Sequence, residues 1–240
     1  MTAPRYAIYF APPSEDPLWS FGSRVLGYDA ETGEDTGLLC PPGFTSDVWR
    51  ERTFEPRRYG FHATLKAPFH LRDDTSEDEL VHAMCDFANQ GEAFSIAGLR
   101  VSAIGSFVAL IPSDADGALE DLAASAVTFF DRFRAPLAEA DLARRLASPL
   151  TDRQRTYLKR WGYPYVMEYF RFHMTLSGAL PPDEGTRARE GLQFMYTEAT
   201  ADSALRVGCI SIFKQARRDG RFKILARASL RHAHNPEALP

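Results

Sequence analysis

Two histidines stand in matching settings in this chain, Phe61-His62-Ala63-Thr64-Leu65 and Phe172-His173-Met174-Thr175-Leu176. Four of the five positions agree, and the histidines lie 111 residues apart. Imidazole, with an unperturbed pKa of about 6.5, takes up or releases a proton near neutral pH. A pair of imidazoles on opposite sides of a phosphorus can therefore run an in-line displacement. One deprotonates the attacking hydroxyl and the other protonates the leaving oxygen. The threonine hydroxyls can donate hydrogen bonds to the non-bridging oxygens, and a nearby Lys or Arg offsets the charge that builds in the transition state. The chemistry asks for no metal and no cofactor. Neither motif supplies the third ligand that a metal-dependent hydrolase built on these histidines would need.

The elements that must position these groups are strands, whose side chains alternate between two faces. In the first copy Gly60, His62, Thr64 and Lys66 share one face, and Phe61, Ala63, Leu65 and Ala67 the other. In the second, Arg171, His173, Thr175 and Ser177 oppose Phe170, Phe172, Met174 and Leu176. One face is apolar and the other offers an imidazole, a hydroxyl and a cation, as in a half-buried strand lining a polar cleft. His62 and His173 are thus the candidate catalytic pair, with Thr64 and Thr175 as phosphate ligands. Strand phase adds Lys66 and Arg171 as phosphate-binding cations, and position adds Lys214. Arg57 and Arg58 read as loop charges, and His70 and His82, which lack the paired setting, as structural or exposed. The His232-x-His234 fragment falls in an expected tail and is a poor metal site.

Around the motifs, Arg5 to Ala11 reads as a strand stopped by Pro12 and Pro13, and Leu18 to Leu26 as a helix. Gly27 to Thr45 reads as loop. Ser76 with Glu79 forms a capping-box signature opening a helix to about Asn89. Phe94 to Ala103 and Ser106 to Ile111 read as a hairpin closed around Gly105. Leu119, Leu122, Ala123, Ala126, Phe129, Phe130 and Phe133 recur at helical steps. Pro136 and Pro149 break the region that follows, and Thr151 caps a short helix to Trp161. Tyr169 to Gly178 reads as the second motif strand, Asp183 to Tyr196 as a helix, and Leu205 to Lys214 with Arg221 to Leu230 as a hairpin across Asp219-Gly220.

Strand, helix and hairpin thus occur twice, and the 111-residue offset carries Ile96 onto Val207 and Leu99 onto Ile210. The pattern predicts an α+β chain forming one bilobal domain. Lobe one spans about 12–112, a helical connection about 113–162, lobe two about 163–230, and residues 231–240 a flexible tail.

Composition bounds the partners. The 240 residues are 45% hydrophobic with a formal net charge of -4, which argues against binding a long polyanion and leaves room for a small phosphate ligand in a local basic pocket. Three widely spaced cysteines (Cys40, Cys85, Cys209) fit neither a disulfide framework nor a zinc knuckle, and a reducing cytoplasm suits them. The first residues lack the pattern of a signal peptide, and no apolar run is long enough to span a bilayer.

The paired His-x-Thr-apolar motif resembles that of the two-histidine (2H) phosphoesterase superfamily. The run from Tyr59 to Phe69, the early Leu18-Trp19-Ser20-Phe21-Gly22 and the late Phe213-Lys214-Gln215 look like the branch encoded with bacterial phosphonate-utilisation genes. The resemblance implies a bilobal, LigT-like α+β fold with two antiparallel sheets around a central cleft, helices outside and a pseudo-twofold duplication. It implies His62 and His173 as the acid/base pair, with Thr64 and Thr175 on the phosphate. Superfamily substrates include 2′,3′-cyclic nucleotides, ADP-ribose cyclic phosphates and 2′-5′-linked RNA, and the phosphonate context favours a small cyclic ribose phosphate or nucleotide. The expected activity is a metal-independent cyclic phosphodiesterase; the competing reading is a non-catalytic nucleotide- or phosphosugar-binding protein on the same fold.

Overall fold

The computed structural model describes residues 3–114, 117–201 and 203–232. The first half runs β1 (Arg5–Phe10), α1 (Pro17–Leu26), α2 (Ser46–Arg52), α3 (Phe54–Arg57), β2 (Ala63–Phe69), α4 (Glu77–Gln90), β3 (Phe94–Ile96), β4 (Leu99–Ile104) and β5 (Phe107–Pro112). A helical connection holds α5 (Gly117–Phe130), α6 (Glu139–Leu146) and α7 (Asp152–Trp161). The second half runs β6 (Met174–Thr175), α8 (Pro182–Thr200), β7 (Leu205–Val207), β8 (Cys209–Gln215) and β9 (Lys223–Ser229).

Several boundaries follow from local chemistry. Ser76 and Glu79 close the capping box that starts α4, and Thr151 and Gln154 close a second at α7, so orphan amides at both helix starts are satisfied. Helices α2, α3 and α6 were not foreseen, being short and rich in charge. No helix of the described residues is long and apolar enough to cross a membrane.

Seven strands pair in the order β4-β5-β6-β2-β1-β8-β9, every pairing antiparallel, and β3 pairs with β7 in a separate ribbon. Helix α4 packs on β8 and β9, α5 on β2, and α8 on β4 and β5. The α+β class and the bilobal arrangement with antiparallel sheets are those the motifs imply.

The hairpins, however, are exchanged. β2 and α4 from the first half sit with β8 and β9 from the second, while β6 and α8 sit with β4 and β5. The β4-β5 hairpin of the first half therefore pairs with β6, and the β8-β9 hairpin of the second pairs with β1, the neighbour of β2. The lobes meet in the seven-stranded sheet through the pair Ala63 and Met174, and in the ribbon through a ladder centred on Ser95 and Arg206. Both pairs join positions 111 residues apart, the separation of the two histidines. A local twofold axis thus runs through both crossings, which explains why the duplication shows as a constant offset.

The second motif strand is shorter than expected: only Met174 and Thr175 are in the ladder, because the amides of Leu176 and Ser177 both donate to the Val108 carbonyl and end the pairing. At the chain's far end, Arg231 donates its amide to the Gly91 carbonyl and its own carbonyl accepts from Ala93, so it is docked rather than part of a free tail. The rest of the expected tail, from residue 233 and including His234, lies outside the described residues.

Candidate active site

β2 and β6 meet at Ala63 and Met174, both fully buried. One step to either side sets His62 across from Thr175 and Thr64 across from His173. All four side chains then share the face opposite the buried pair, and all four are half-buried. The histidines are diagonal neighbours in this pairing, a relation that spaces Cα atoms by roughly 7–8 Å and leaves room for a phosphate between the rings.

Both imidazoles are tethered alike. Nδ1 of His62 lies 2.9 Å from the Gly60 carbonyl, and Nδ1 of His173 lies 2.8 Å from the Arg171 carbonyl. A carbonyl only accepts, so each Nδ1 carries the proton and each Nε2 is turned toward the chemistry. Gly60 makes the first tether possible. Its φ of 75° lies in the left-handed region, and a Cβ there would come within 2.7 Å of the Ala30 methyl. Behind it, Phe61 is buried under α1, where Gly22 lets the helix close on the ring; a Cβ at Gly22 would lie 2.2 Å from it.

The two rings differ in surroundings. His62 stacks on Tyr9 with centroids 3.7 Å apart and an interplanar angle of 17°, with Phe213 at 5.9 Å and Tyr59 at 6.4 Å. Burial among these rings, reinforced by repulsion from His173 and only partly offset by the Gly60 hydrogen bond, lowers the His62 pKa to about 4. His62 is therefore neutral at physiological pH, and its Nε2 lone pair accepts from the Thr64 hydroxyl at 3.3 Å. Among the described residues His173 has one aromatic neighbour, Phe107 at 5.8 Å.

The cations foreseen from strand phase fare unequally. Lys66 is not on the histidine face. Ile8 pairs with Lys66 but the next residue, Tyr9, pairs with Thr64, so Leu65 is an extra residue and β2 carries a bulge. The bulge reverses the alternation, and Lys66 turns inward, 3% exposed, to Asp131 (3.0 Å) and the Val127 carbonyl (3.1 Å). Lys214 lies opposite Tyr6, on the face of β8 away from the histidines, where it forms an ion pair with Glu77 of α4. Arg171 is exposed and its guanidinium has no hydrogen bond or ion pair within the described residues. Of the two loop charges, Arg57 is structural, bonded to the Leu26 and Arg50 carbonyls, whereas Arg58 lines a cavity described below. His70 and His82 bond to the backbone carbonyls of Pro4 and Asp78. Among the described residues no three His, Cys, Asp or Glu side chains are grouped to hold a metal ion.

Tyr9, Tyr59 and Phe213 set the environment of His62 and were missed in the sequence. The signal for Tyr9 was its phase: Arg5, Ala7 and Tyr9 share one face of β1.

A family model described as "Protein of unknown function (DUF1045)" matches residues 64–223. The chain is 36% identical over 214 residues to a protein of Janthinobacterium sp. (strain Marseille) named "Ribose 1,5-bisphosphate phosphokinase PhnN", covering 88% of this chain and 47% of that protein. A protein of the same name from Laribacter hongkongensis (strain HLHK9) is 34% identical over 176 residues, covering 73% and 40%. The chain spans less than half the length of the curated relatives it matches. Among solved structures it is similar to E. coli LigT complexed with 3′-AMP, with a TM-score of 0.42 and 14% identity over 95% of this chain and 99% of that one. A Thermus thermophilus protein gives a TM-score of 0.43 and 12% identity over 96% and 100%.

Proposed function

The chain belongs to the DUF1045 family, whose description assigns no activity, and from the site itself we propose a metal-independent phosphodiesterase that opens a cyclic phosphate of a small ribose phosphate or nucleotide. The observation that carries this reading is the local twofold at Ala63 and Met174, which sets two imidazoles and two threonine hydroxyls on one face with both rings tethered through Nδ1.

In this mechanism the phosphate lies between the histidines. His62, neutral at physiological pH, accepts a proton at Nε2 from water as the water oxygen attacks phosphorus. The bond from phosphorus to one ring oxygen breaks in line, and His173 in its protonated form donates the Nε2 proton to that oxygen. The products are a phosphomonoester and a free hydroxyl; the proton gained by His62 and the one lost by His173 re-equilibrate through solvent. Thr64 and Thr175 donate hydrogen bonds to the non-bridging oxygens, and Arg171, whose side chain is exposed beside His173, offsets their charge. The matching relatives are named for ribose 1,5-bisphosphate, which supports a phosphorylated ribose as the substrate's core, and the resemblance to the phosphonate-associated branch supports a place in that metabolism.

The test is turnover of a panel of ribose cyclic phosphates, 1,2- and 2,3-linked, in EDTA. Activity should persist, and His62→Ala and His173→Ala should each lower kcat/KM by about 10² to 10⁴-fold, the usual worth of a general acid or base. Near-normal turnover in either variant sinks the proposal.

A further inference from the structure

A cavity of about 480 Å³ opens between the sheet and the helical connection. Its lining includes Arg5, Arg58, Arg134, Arg144, Arg145 and Arg218, against Asp73 and Asp141 alone of the carboxylates. In a chain of net charge -4 such a concentration of guanidinium groups is a local feature with a purpose to be sought. Two are neutralised: Arg134 by Asp131 at 2.7 Å and Arg144 by Asp141 at 2.7 Å.

Among the described residues the other four have no close carboxylate, although the charge of Asp141 also acts on Arg145. Arg5 donates to the Gln215 side-chain oxygen (2.7 Å), Arg145 to the Gly162 carbonyl (2.6 Å) and Arg58 to the Arg218 carbonyl (3.0 Å). Those acceptors are neutral. Within the described residues no carboxylate lies within 4.0 Å of Arg5, Arg145 or Arg218, and the Glu55 carboxylate only reaches Arg58 at that limit. Arg145 is half-buried, and the loss of water around it lowers its pKa, so the cation is held there at a cost that a bound anion would offset. The Trp161 indole N–H, from another lining residue, is buried without an acceptor among the described residues. A planar guanidinium fork is suited to the paired oxygens of a phosphate.

One lining residue of the cavity adjoins His62: the ring of Tyr59 lies 6.4 Å from that of His62. Arg5 shares the face of β1 that carries Tyr9, four residues or about 13 Å along the strand. A single phosphate cannot bridge that distance, whereas a sugar with phosphoryl groups at both ends can.

We propose that this cavity is the subsite for a second, terminal phosphate, so that the substrate is a ribose cyclic phosphate bearing a further phosphomonoester rather than a plain nucleoside cyclic phosphate. The inference rests on the phosphodiesterase reading for the reaction but not for the binding. Two measurements separate them. First, kcat/KM is compared for a ribose cyclic phosphate with and without a 5-phosphate. The phosphorylated form should be favoured about 10- to 100-fold, and Arg145→Gln or Arg5→Gln should each reduce that preference at least tenfold. Second, calorimetry with ribose 5-phosphate and with ribose is run on the His62→Ala/His173→Ala double variant. Ribose 5-phosphate should bind, ribose should not, and adding Arg145→Gln should weaken binding at least tenfold. If no cyclic phosphate is turned over but ribose 5-phosphate binds in this Arg145-dependent way, the catalytic reading fails and the subsite stands. If turnover is indifferent to the 5-phosphate, or ribose 5-phosphate binds no better than ribose, the subsite is overturned and the phosphodiesterase stands. Should Arg145→Gln fail to fold, Arg218→Gln, in an exposed loop, carries the same comparison.

Discussion

The two copies of the motif have the same residues and different surroundings. His62 stands at the head of a seven-residue strand, roofed by Tyr9 and flanked by Tyr59 and Phe213, while His173 precedes a two-residue strand with Phe107 beside it. Their tethers, by contrast, are the same: in each, Nδ1 meets the carbonyl two residues back. The repeat gives both histidines the same geometry, and packing makes them unlike. A reaction that needs one base and one acid at the same pH is served by that difference, because it favours the state in which His62 is the unprotonated ring. The aromatic roof over His62 holds it neutral, which suits it to the base.

The largest effect tests this assignment directly. A base works only when unprotonated, so activity should be lost as pH falls through its pKa. With the His62 pKa lowered to about 4, the acid limb of kcat/KM should lie near pH 4 rather than near 6.5. His62→Ala should remove that limb together with 10² to 10⁴-fold in rate, whereas His173→Ala should lose as much rate and keep it. A limb near pH 6.5 in the unmodified enzyme, or one that vanishes with His173 instead, would reverse the roles.

A smaller effect separates the roof from the ring beneath it. Tyr9→Leu keeps an apolar residue in β1 but removes the stacked face 3.7 Å from His62 and admits water above it. The acid limb should move up from pH 4 toward 6.5, so that kcat/KM falls about tenfold at pH 5 and changes little at pH 8. A limb that stays at pH 4 would mean that the buried neighbours on the other side, Phe213 foremost, set the pKa by themselves.

How far the sequence could lead is visible in the same strands. The motif histidines and threonines were found because alternation holds over Phe61 to Thr64 and over Phe172 to Leu176, where buried and half-buried residues take turns. The capping boxes at Ser76 and Thr151 were legible because they are local. The hairpin exchange was not, since composition does not say whether Leu205 to Lys214 pairs beside its own motif strand or beside the other; only the ladder between β1 and β8 decides it. Lys214 was misplaced for that reason. The arginine cavity gathers residues from β1, the loop before β2, α6 and the loop after β8, none of them part of a motif.

Lys66 offers the smallest catalytic effect and the sharpest contrast with Thr64, two residues before it. Unbroken alternation puts both on the histidine face, and one extra residue in the ladder at Leu65 separates them. Lys66→Met should therefore change kcat/KM by less than about threefold while costing about 1–3 kcal/mol of stability, because it leaves the Val127 carbonyl unpaired and Asp131 with Arg134 as its remaining partner. Urea denaturation at unchanged slope measures the second quantity. Thr64→Val should show the reverse, a loss of about tenfold in kcat/KM with little change in stability, since its hydroxyl is half-buried and its hydrogen bond is to the His62 ring. If Lys66→Met instead behaves as Thr64→Val does, the lysine reaches the phosphate and the bulge is not what sets the face of this strand.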